Sequence, residues 1–314
     1  MENRQMLVQM LPGQVSNVLG RLNLSYEKLQ EIRMRADKPL AVQWDGREYF
    51  VKAGGEATIY EEQGYPVSKE EICQTMEQIS GYSLYAHEEE LKQGFLTIQG
   101  GHRVGIAGKV LMEHGRIKNI RHITFLHIRL CHEKKGCGEK LLPLLTEEEN
   151  ICNTLLISPP GAGKTTMLRD LIRLISDGTQ EIPGKNVGVV DERSELAGCY
   201  YGVPQNDLGV RTDVLDGCPK AEGMMMLIRS MAPEVVAADE IGTAEDVRAI
   251  ELAACCGCRI LATVHGHSPD DIRKNPVLNE LLEKKIFDRY VILKKDYRAG
   301  QIQAVYDRDW SQIL

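Results

Sequence analysis

The hydrophobic rhythm of the chain changes near its middle. Through EIRMRADKPLAVQWDGREYFV, residues 31–51, apolar and polar positions alternate around Asp45-Gly46, the pattern of strands joined by a tight hairpin turn. Ser68 with Glu71 three residues later predicts a capped helix. FLTIQGGHRVGIAGKVLMEHGRIKNIRHITFLHIRL, residues 95–130, is rich in β-branched residues and glycine and predicts several strands. Beyond it, short apolar runs alternate with amphipathic stretches. Thr154 to Ile157, Val187 to Val190, Val235 to Ala238 and Arg259 to Val264 read as buried strands. Leu168, Leu171, Ile172 and Ile175 form a helical stripe, and Ala221 to Met231 reads as another helix. Thr243, with Asp246 three residues on, opens a further helix containing Val247, Ile250 and Ala254. The end, RYVILKKDYRAGQIQAVYD, reads as a hairpin. The alternation predicts an α/β fold, a mostly parallel sheet with helices on both faces, preceded by a smaller α+β domain.

The boundary falls where Lys134-Lys135-Gly136-Cys137-Gly138 interrupts the pattern, ahead of a short helical stretch from Glu139 to Leu145. This predicts domains at 1–136 and 137–314. The length, 314 residues, suits two domains at roughly 150 residues each. A net charge of -7 argues against a surface wholly committed to nucleic acid. No apolar run approaches the roughly 18 residues needed to cross a bilayer, and MENRQMLVQMLPGQ lacks the form of a signal peptide. Nine scattered cysteines suit a reduced, cytoplasmic chain better than a disulfide framework. Cys255-Cys256-Gly257-Cys258, at a helix end among small residues, reads as packing rather than a metal site.

The strongest chemical signal is ISPPGAGKTTMLRDLIRLI, set between a strand and an amphipathic helix. Ser158, Pro159, Pro160, Gly161, Ala162, Gly163, Lys164, Thr165 and Thr166 form a phosphate-binding loop. Gly161 and Gly163 let successive backbone N–H groups face phosphate oxygens, and the helix start adds its positive end. Lys164 would reach the β and γ phosphates of ATP, and Thr165 would ligate Mg²⁺. Ser158 stands where such loops usually begin with glycine.

EVVAADEIG ends a strand in Asp239-Glu240. Asp239 is placed to hold Mg²⁺, and Glu240 to polarise an attacking water as general base. A water-activating glutamate suits a hydrolase rather than a small-molecule kinase.

The second half resembles the ATPases of type II and type IV secretion systems and of pilus motors. The whole chain resembles the stage III sporulation protein AA family of endospore-forming bacteria. The strings ISPPGAGKTTMLRDLIR, VGVVDERSELAGC, VVAADEIGTAEDVRAIELAACCGCRILATVHG and QGGHRVGIAGKV carry the likeness, and within that family a serine at the start of the loop is expected. The resemblance implies a RecA-like P-loop NTPase domain. It implies an acidic box at Asp191-Glu192, with Glu195 nearby, gripping Mg²⁺ or water from the outer sphere. It also implies a histidine box at Thr263-Val264-His265-Gly266, with His265 reporting the γ-phosphate to a neighbouring subunit. Secretion ATPases usually carry glycine at the position of Asp239, so this chain has the fuller metal site. Arginines from the N-terminal domain close over the phosphates in that family; Arg103 and Arg129 match by position, with Arg211 and Arg229 as alternatives. The implied assembly is a ring, a hexamer, of ATP hydrolases. It would power assembly of, or transport through, a membrane channel complex between mother cell and forespore. The chain would be cytoplasmic, on the mother-cell side, docked to the membrane through a protein partner, with no nucleic acid expected. A nucleic-acid motor and a non-hydrolysing, nucleotide-gated scaffold are the competing classes; DNA-stimulated turnover would mark the first.

Overall fold

The computed structural model describes residues 2–83, 87–295 and 300–314. The chain divides into two compact units, Met1–His132 and Glu133–Leu314.

The first unit is an antiparallel sheet backed by helices. Helices α1 (Glu2–Gln9) and α2 (Gly13–Gly20) precede strands β1 (Leu29–Arg35), β2 (Lys38–Pro39), β3 (Ala41–Trp44), β4 (Arg47–Val51), β5 (Ala57–Thr58) and β6 (Pro66–Val67). Helices α3 (Lys69–Ile79) and α4 (Glu88–Lys92) then lead to β7 (Phe95–Ile98), β8 (His102–Glu113) and β9 (Arg116–Arg129). The main sheet runs β5-β4-β3-β1-β9-β8-β7, while β2 and β6 pair separately. Asp45 (φ 49°) and Gly46 (φ 79°) make the two-residue turn between β3 and β4, where Trp44 faces Arg47. Such a turn needs left-handed backbone at both central positions, which Asp and Gly tolerate. Ser68 accepts from the Glu71 N–H, and the Glu71 carboxylate accepts from the Ser68 N–H, the reciprocal cap expected at α3.

Strand alternation sorts the sheet's two faces. Ile32, Met34, Val104, Ile106, Leu126 and Ile128 are buried, in one core with Val15 and Val18 of α2 and Ile72, Met76 and Ile79 of α3. The intervening positions, Arg33, Arg103, His127 and Arg129 among them, point away from that core.

The second unit is three-layered. After a small ladder of β10 (Thr146–Glu147) and β11 (Asn150–Ile151), β12 (Thr154–Ser158) leads through the phosphate loop into α5 (Lys164–Asp177). Then come β13 (Val187–Asp191), β14 (Thr212–Asp216), α6 (Lys220–Ser230), β15 (Val235–Ala238), α7 (Ala244–Cys255) and β16 (Arg259–His265). Helices α8 (Pro269–Lys274) and α9 (Pro276–Glu283) precede β17 (Arg289–Lys294) and β18 (Gln301–Asp307). The order is β14-β13-β15-β16-β12-β17-β18, parallel except for the β17–β18 pair. This is the mostly parallel sheet of a RecA-like domain.

One face of the sheet packs Leu156, Val189, Ala237 and Leu261 against Leu168, Leu171, Ile172 and Ile175 of α5. The other packs Ile157, Val236, Ile260 and Ala262 against α6, α7 and α9. Each fully buried leucine or isoleucine of the α5 stripe stabilises the fold by about 1.5–3 kcal/mol relative to exposure. Thr243 and Asp246 cap α7 reciprocally. Parallel register places the carboxyl ends of β12, β13, β15 and β16 along one edge, with Ser158 opposite His265. That edge is where open α/β sheets bind ligands.

Two readings change. The helix expected over Glu139–Leu145 is only a 3₁₀ turn, Leu142–Leu145. Pro143 lacks the N–H that an α-helix would bond to the Glu139 carbonyl, so the helical ladder is interrupted there. Of the clustered cysteines only Cys258 packs inside, its thiol 3.3 Å from the Pro233 carbonyl; Cys255 and Cys256 are exposed past the apolar stripe of α7.

Candidate nucleotide-binding site

The loop between β12 and α5 has the backbone of a phosphate cradle. Ser158 is fully buried, and its carbonyl accepts from the Gly266 N–H at 3.1 Å, tying the loop's start to the end of β16. Gly161 (φ 76°) and Gly163 (φ 89°) adopt left-handed backbone that a side chain would strain. Pro160 and Gly161 form an exposed rim, Ala162 turns inward, and Lys164 and Thr165 open a 14-residue helix.

Lys164 is 94% buried by its 6% exposure, and its ammonium lies 2.7 Å from Glu240 Oε1. His265 Nε2 stands 2.9 Å from the same oxygen and 3.3 Å from Lys164 Nζ. That one ring nitrogen either donates to Glu240 or accepts from Lys164, according to its protonation. The second oxygen of Glu240 takes the Arg193 guanidinium at 2.8 Å. One carboxylate thus meets Lys164, Arg193 and the His265 ring. Burial alone would raise its pKa, but Lys164, through hydrogen bond and charge, with His265 and Arg193 holds it below the usual carboxylate range. Glu240 also has φ 55°, an uncommon conformation for a non-glycine residue, stabilised by the Glu240 N–H donating to Thr263 Oγ1 at 2.9 Å.

Asp239 bridges two elements. Its Oδ2 accepts from the Thr165 hydroxyl at 2.6 Å, and its Oδ1 accepts from the Thr263 hydroxyl. Oxygen donors at this spacing suit Mg²⁺, which binds through one or two protein oxygens and keeps the rest of its shell for water and phosphate. Thr165 and Asp239 would hold it.

The acidic pair at the end of β13 divides its contacts. Asp191 is buried, with Oδ1 accepting from the Glu195 N–H at 2.9 Å and Oδ2 from Leu196 (3.0 Å) and Ala197 (2.8 Å). Burial pushes its pKa up to about 6 against the pull of these three donors, with Asp216 adding a like charge. Arg169 of α5 donates to the carbonyls of Glu195 (2.6 Å) and Leu196 (2.7 Å), so the segment carrying Arg193 is held from both sides. Glu192 instead pairs with Lys220 at the start of α6. Asp191, Glu192, Asp239 and Glu240 line one small cavity with Arg193 and Lys220.

Arg103 and Arg129 lie in the N-terminal unit as direct cross-strand neighbours on β8 and β9. The Arg103 guanidinium stacks 3.7 Å from the centroid of Phe95; Arg129, 64% exposed, is 3.6 Å from Glu31. Arg211 is occupied at the C-terminal end of α5, donating to the Ser176 carbonyl at 2.9 Å, and Arg229 is exposed in the last turn of α6. Sequence reasoning passed over Arg193, Lys220 and the bridging role of Thr263. Arg193 directly follows the acidic pair, a position that could have marked it.

Residues 1–313 match the family described as sporulation stage III, protein AA. The chain belongs to that family. It is 41% identical over 304 residues to the stage III sporulation protein AA of Bacillus subtilis (strain 168), covering 96% of this chain and 95% of that one. Among solved structures it resembles the Legionella pneumophila ATPase DotB, with a TM-score of 0.56 at 13% identity, over 92% of this chain and 76% of that one. It also resembles the ADP-bound pilus retraction motor PilT, with a TM-score of 0.55 at 16% identity, over 84% and 74%. At these identities the structural likeness establishes a shared fold. No helix among the described residues is long and apolar enough to cross a membrane.

Proposed function

We propose that this member of the family hydrolyses ATP at the edge of the C-terminal sheet and uses the energy to move its N-terminal unit within a ring, a hexamer. The observation that carries this is that a phosphate loop and two strand ends bring Lys164, Glu240 and His265 into mutual contact and, beside them, Thr165 onto Asp239. Bound Mg²⁺ would neutralise phosphate charge. The protein's part is positional: the loop from Ser158 to Thr166 holds the phosphates, Lys164 leaves Glu240 for the β and γ phosphates, and the freed carboxylate orients the attacking water. His265 loses its shared partner at the same moment and is placed to register the change. Asp191 and Glu192 hold the segment bearing Arg193 against the site. Arg103 and Arg129, paired on one sheet face, are the cations that the N-terminal unit would bring over the phosphates.

In this reading the motor docks on a sporulation channel complex through a membrane-protein partner, and opening and closing of the ring assembles it or moves material through it. Phosphate release, measured against protein concentration for wild type and Lys164→Ala, tests the proposal. Activity that climbs steeply with concentration and vanishes in the variant supports shared sites in a ring. Activity constant per protomer rejects the ring, and phosphate release retained by Lys164→Ala rejects the site.

A further inference from the structure

The phosphate loop has a second neighbour besides the acidic strand ends. β17 runs parallel to β12 with Ile157 opposite Ile292, so the chain leaving β17 emerges beside the loop. The return limb is fixed there: the Gly300 N–H donates to the Ala162 carbonyl at 2.8 Å. The outgoing limb carries Lys295. A Cβ placed on Gly161 would lie 3.9 Å from Lys295 Cε and 4.0 Å from its Nζ. The two loop lysines are in opposite conditions. Lys164 is buried and paired with Glu240. Lys295 is exposed over the rim.

Strand order says which part of a nucleotide Lys295 would meet. β12 lies between β16 and β17. Asp239, Glu240 and His265 all stand on the β16 flank, so in the reading proposed above the γ-phosphate and the attacking water belong there. The opposite flank, under β17, is left for the inner phosphates. We propose that Lys295 is a nucleotide-binding residue that contacts the α/β-diphosphate, the portion common to ADP and ATP, from the outer side of the loop. A lysine ammonium is a flexible point charge suited to phosphate oxygens at a solvent-facing rim. Such a contact tightens binding of both nucleotides alike, leaves the chemical step alone, and weakens as salt screens it.

This inference rests on the proposed ATPase reading, and one experiment separates the two. Equilibrium binding of ADP and of a non-hydrolysable ATP analogue is measured for the full chain, with Lys295→Ala, Lys295→Glu and Lys295→Arg compared at low and high salt. Lys295→Ala should weaken both nucleotides by the same factor, roughly three- to tenfold. Lys295→Glu should weaken them further, Lys295→Arg should stay near wild type, and the alanine variant should show a shallower salt dependence. In turnover assays the loss should appear as a raised KM for ATP. Unaltered binding in the alanine and glutamate variants, or a loss confined to the ATP analogue, overturns the assignment of Lys295. If the wild-type chain binds neither nucleotide, the ATPase reading fails and the assignment falls with it.

Discussion

The ammonium of Lys164 sits 2.7 Å from Oε1 of Glu240, so the loop lysine and the strand-end glutamate satisfy each other across 76 residues of sequence. The pair is mostly removed from solvent, with side-chain exposures of 7% and 22%. A phosphate must therefore compete with a carboxylate for this lysine. In the proposed reading, competition of this kind would link nucleotide binding to release of Glu240 as general base, the carboxylate being freed from Lys164 when a phosphate takes its place.

Replacing Glu240 with glutamine separates the two roles. The amide is nearly isosteric but neutral, so Lys164 is held less firmly and the proton acceptor is lost. Glu240→Gln should bind a non-hydrolysable ATP analogue several-fold more tightly, because a weaker competitor must be displaced. Its turnover should fall by about 10²- to 10⁴-fold, the usual worth of a general base. Binding titration and phosphate release check both halves, and near-normal turnover removes Glu240 from the mechanism.

Asp239 gives a second separation. Both its oxygens accept hydroxyl protons, from Thr165 and Thr263. In Asp239→Asn one oxygen becomes an NH₂ group, which cannot accept, and the negative charge is gone. Nucleotide binding without metal should survive, while the Mg²⁺ concentration giving half-maximal turnover should rise by about tenfold or more, since hard cations favour charged oxygen donors. A Mg²⁺ titration of turnover decides it; an unchanged midpoint would place the metal elsewhere.

How much of this was readable beforehand depends on whether the signal is local. The stripe of Leu168, Leu171, Ile172 and Ile175 and the caps at Ser68 and Thr243 are enforced within a turn or two of chain, and the structure has them where the periodicity put them. The parallel sheet follows from β-α alternation. What the pattern could not carry is contact between distant exposed side chains. Arg193 reaches Glu240 from 47 residues away, and its place after the acidic pair does not by itself say which carboxylate it meets. Lys295 is near Gly161 only because β17 is laid next to β12. Pro143 broke a helical pattern that hydrophobicity alone supported.

The buried Asp191 predicts a pH dependence. Its pKa of about 6 means that, between the ordinary carboxylate range and pH 6, the folded chain holds a proton that the unfolded chain releases. This group's contribution to stability is therefore fully present at low pH and is lost as pH rises through about 6. Function should run the other way. The carboxylate accepts three N–H bonds from the segment that carries Arg193, and protonation weakens them. Turnover should fall as pH drops below about 6, and Asp191→Asn, low at neutral pH, should show no such acid limb. Parallel pH profiles of phosphate release test this; an acid limb retained in the variant assigns the titration to another group.

The close approach at Gly266 supports the last prediction. A Cβ there would lie 2.9 Å from Ile272 Cδ1 and 3.1 Å from Ile157 Cγ2. Ile157 is fully buried next to the phosphate loop, and Gly266 directly follows His265, so Gly266→Ala must displace something that matters. Overpacking of this sort costs about 1–3 kcal/mol. The tighter contact is to the end of the Ile272 side chain, which Ile272→Val removes. Ile272→Val alone should cost about 0.5–1.5 kcal/mol as a small cavity. Combined with Gly266→Ala it should cost less than the sum of the two, and turnover lost in the single alanine variant should partly return. Urea unfolding and phosphate release across the four proteins measure the coupling. Strict additivity would show that the strain is taken up at Ile157, on the loop side, and the turnover loss should then persist in the double variant.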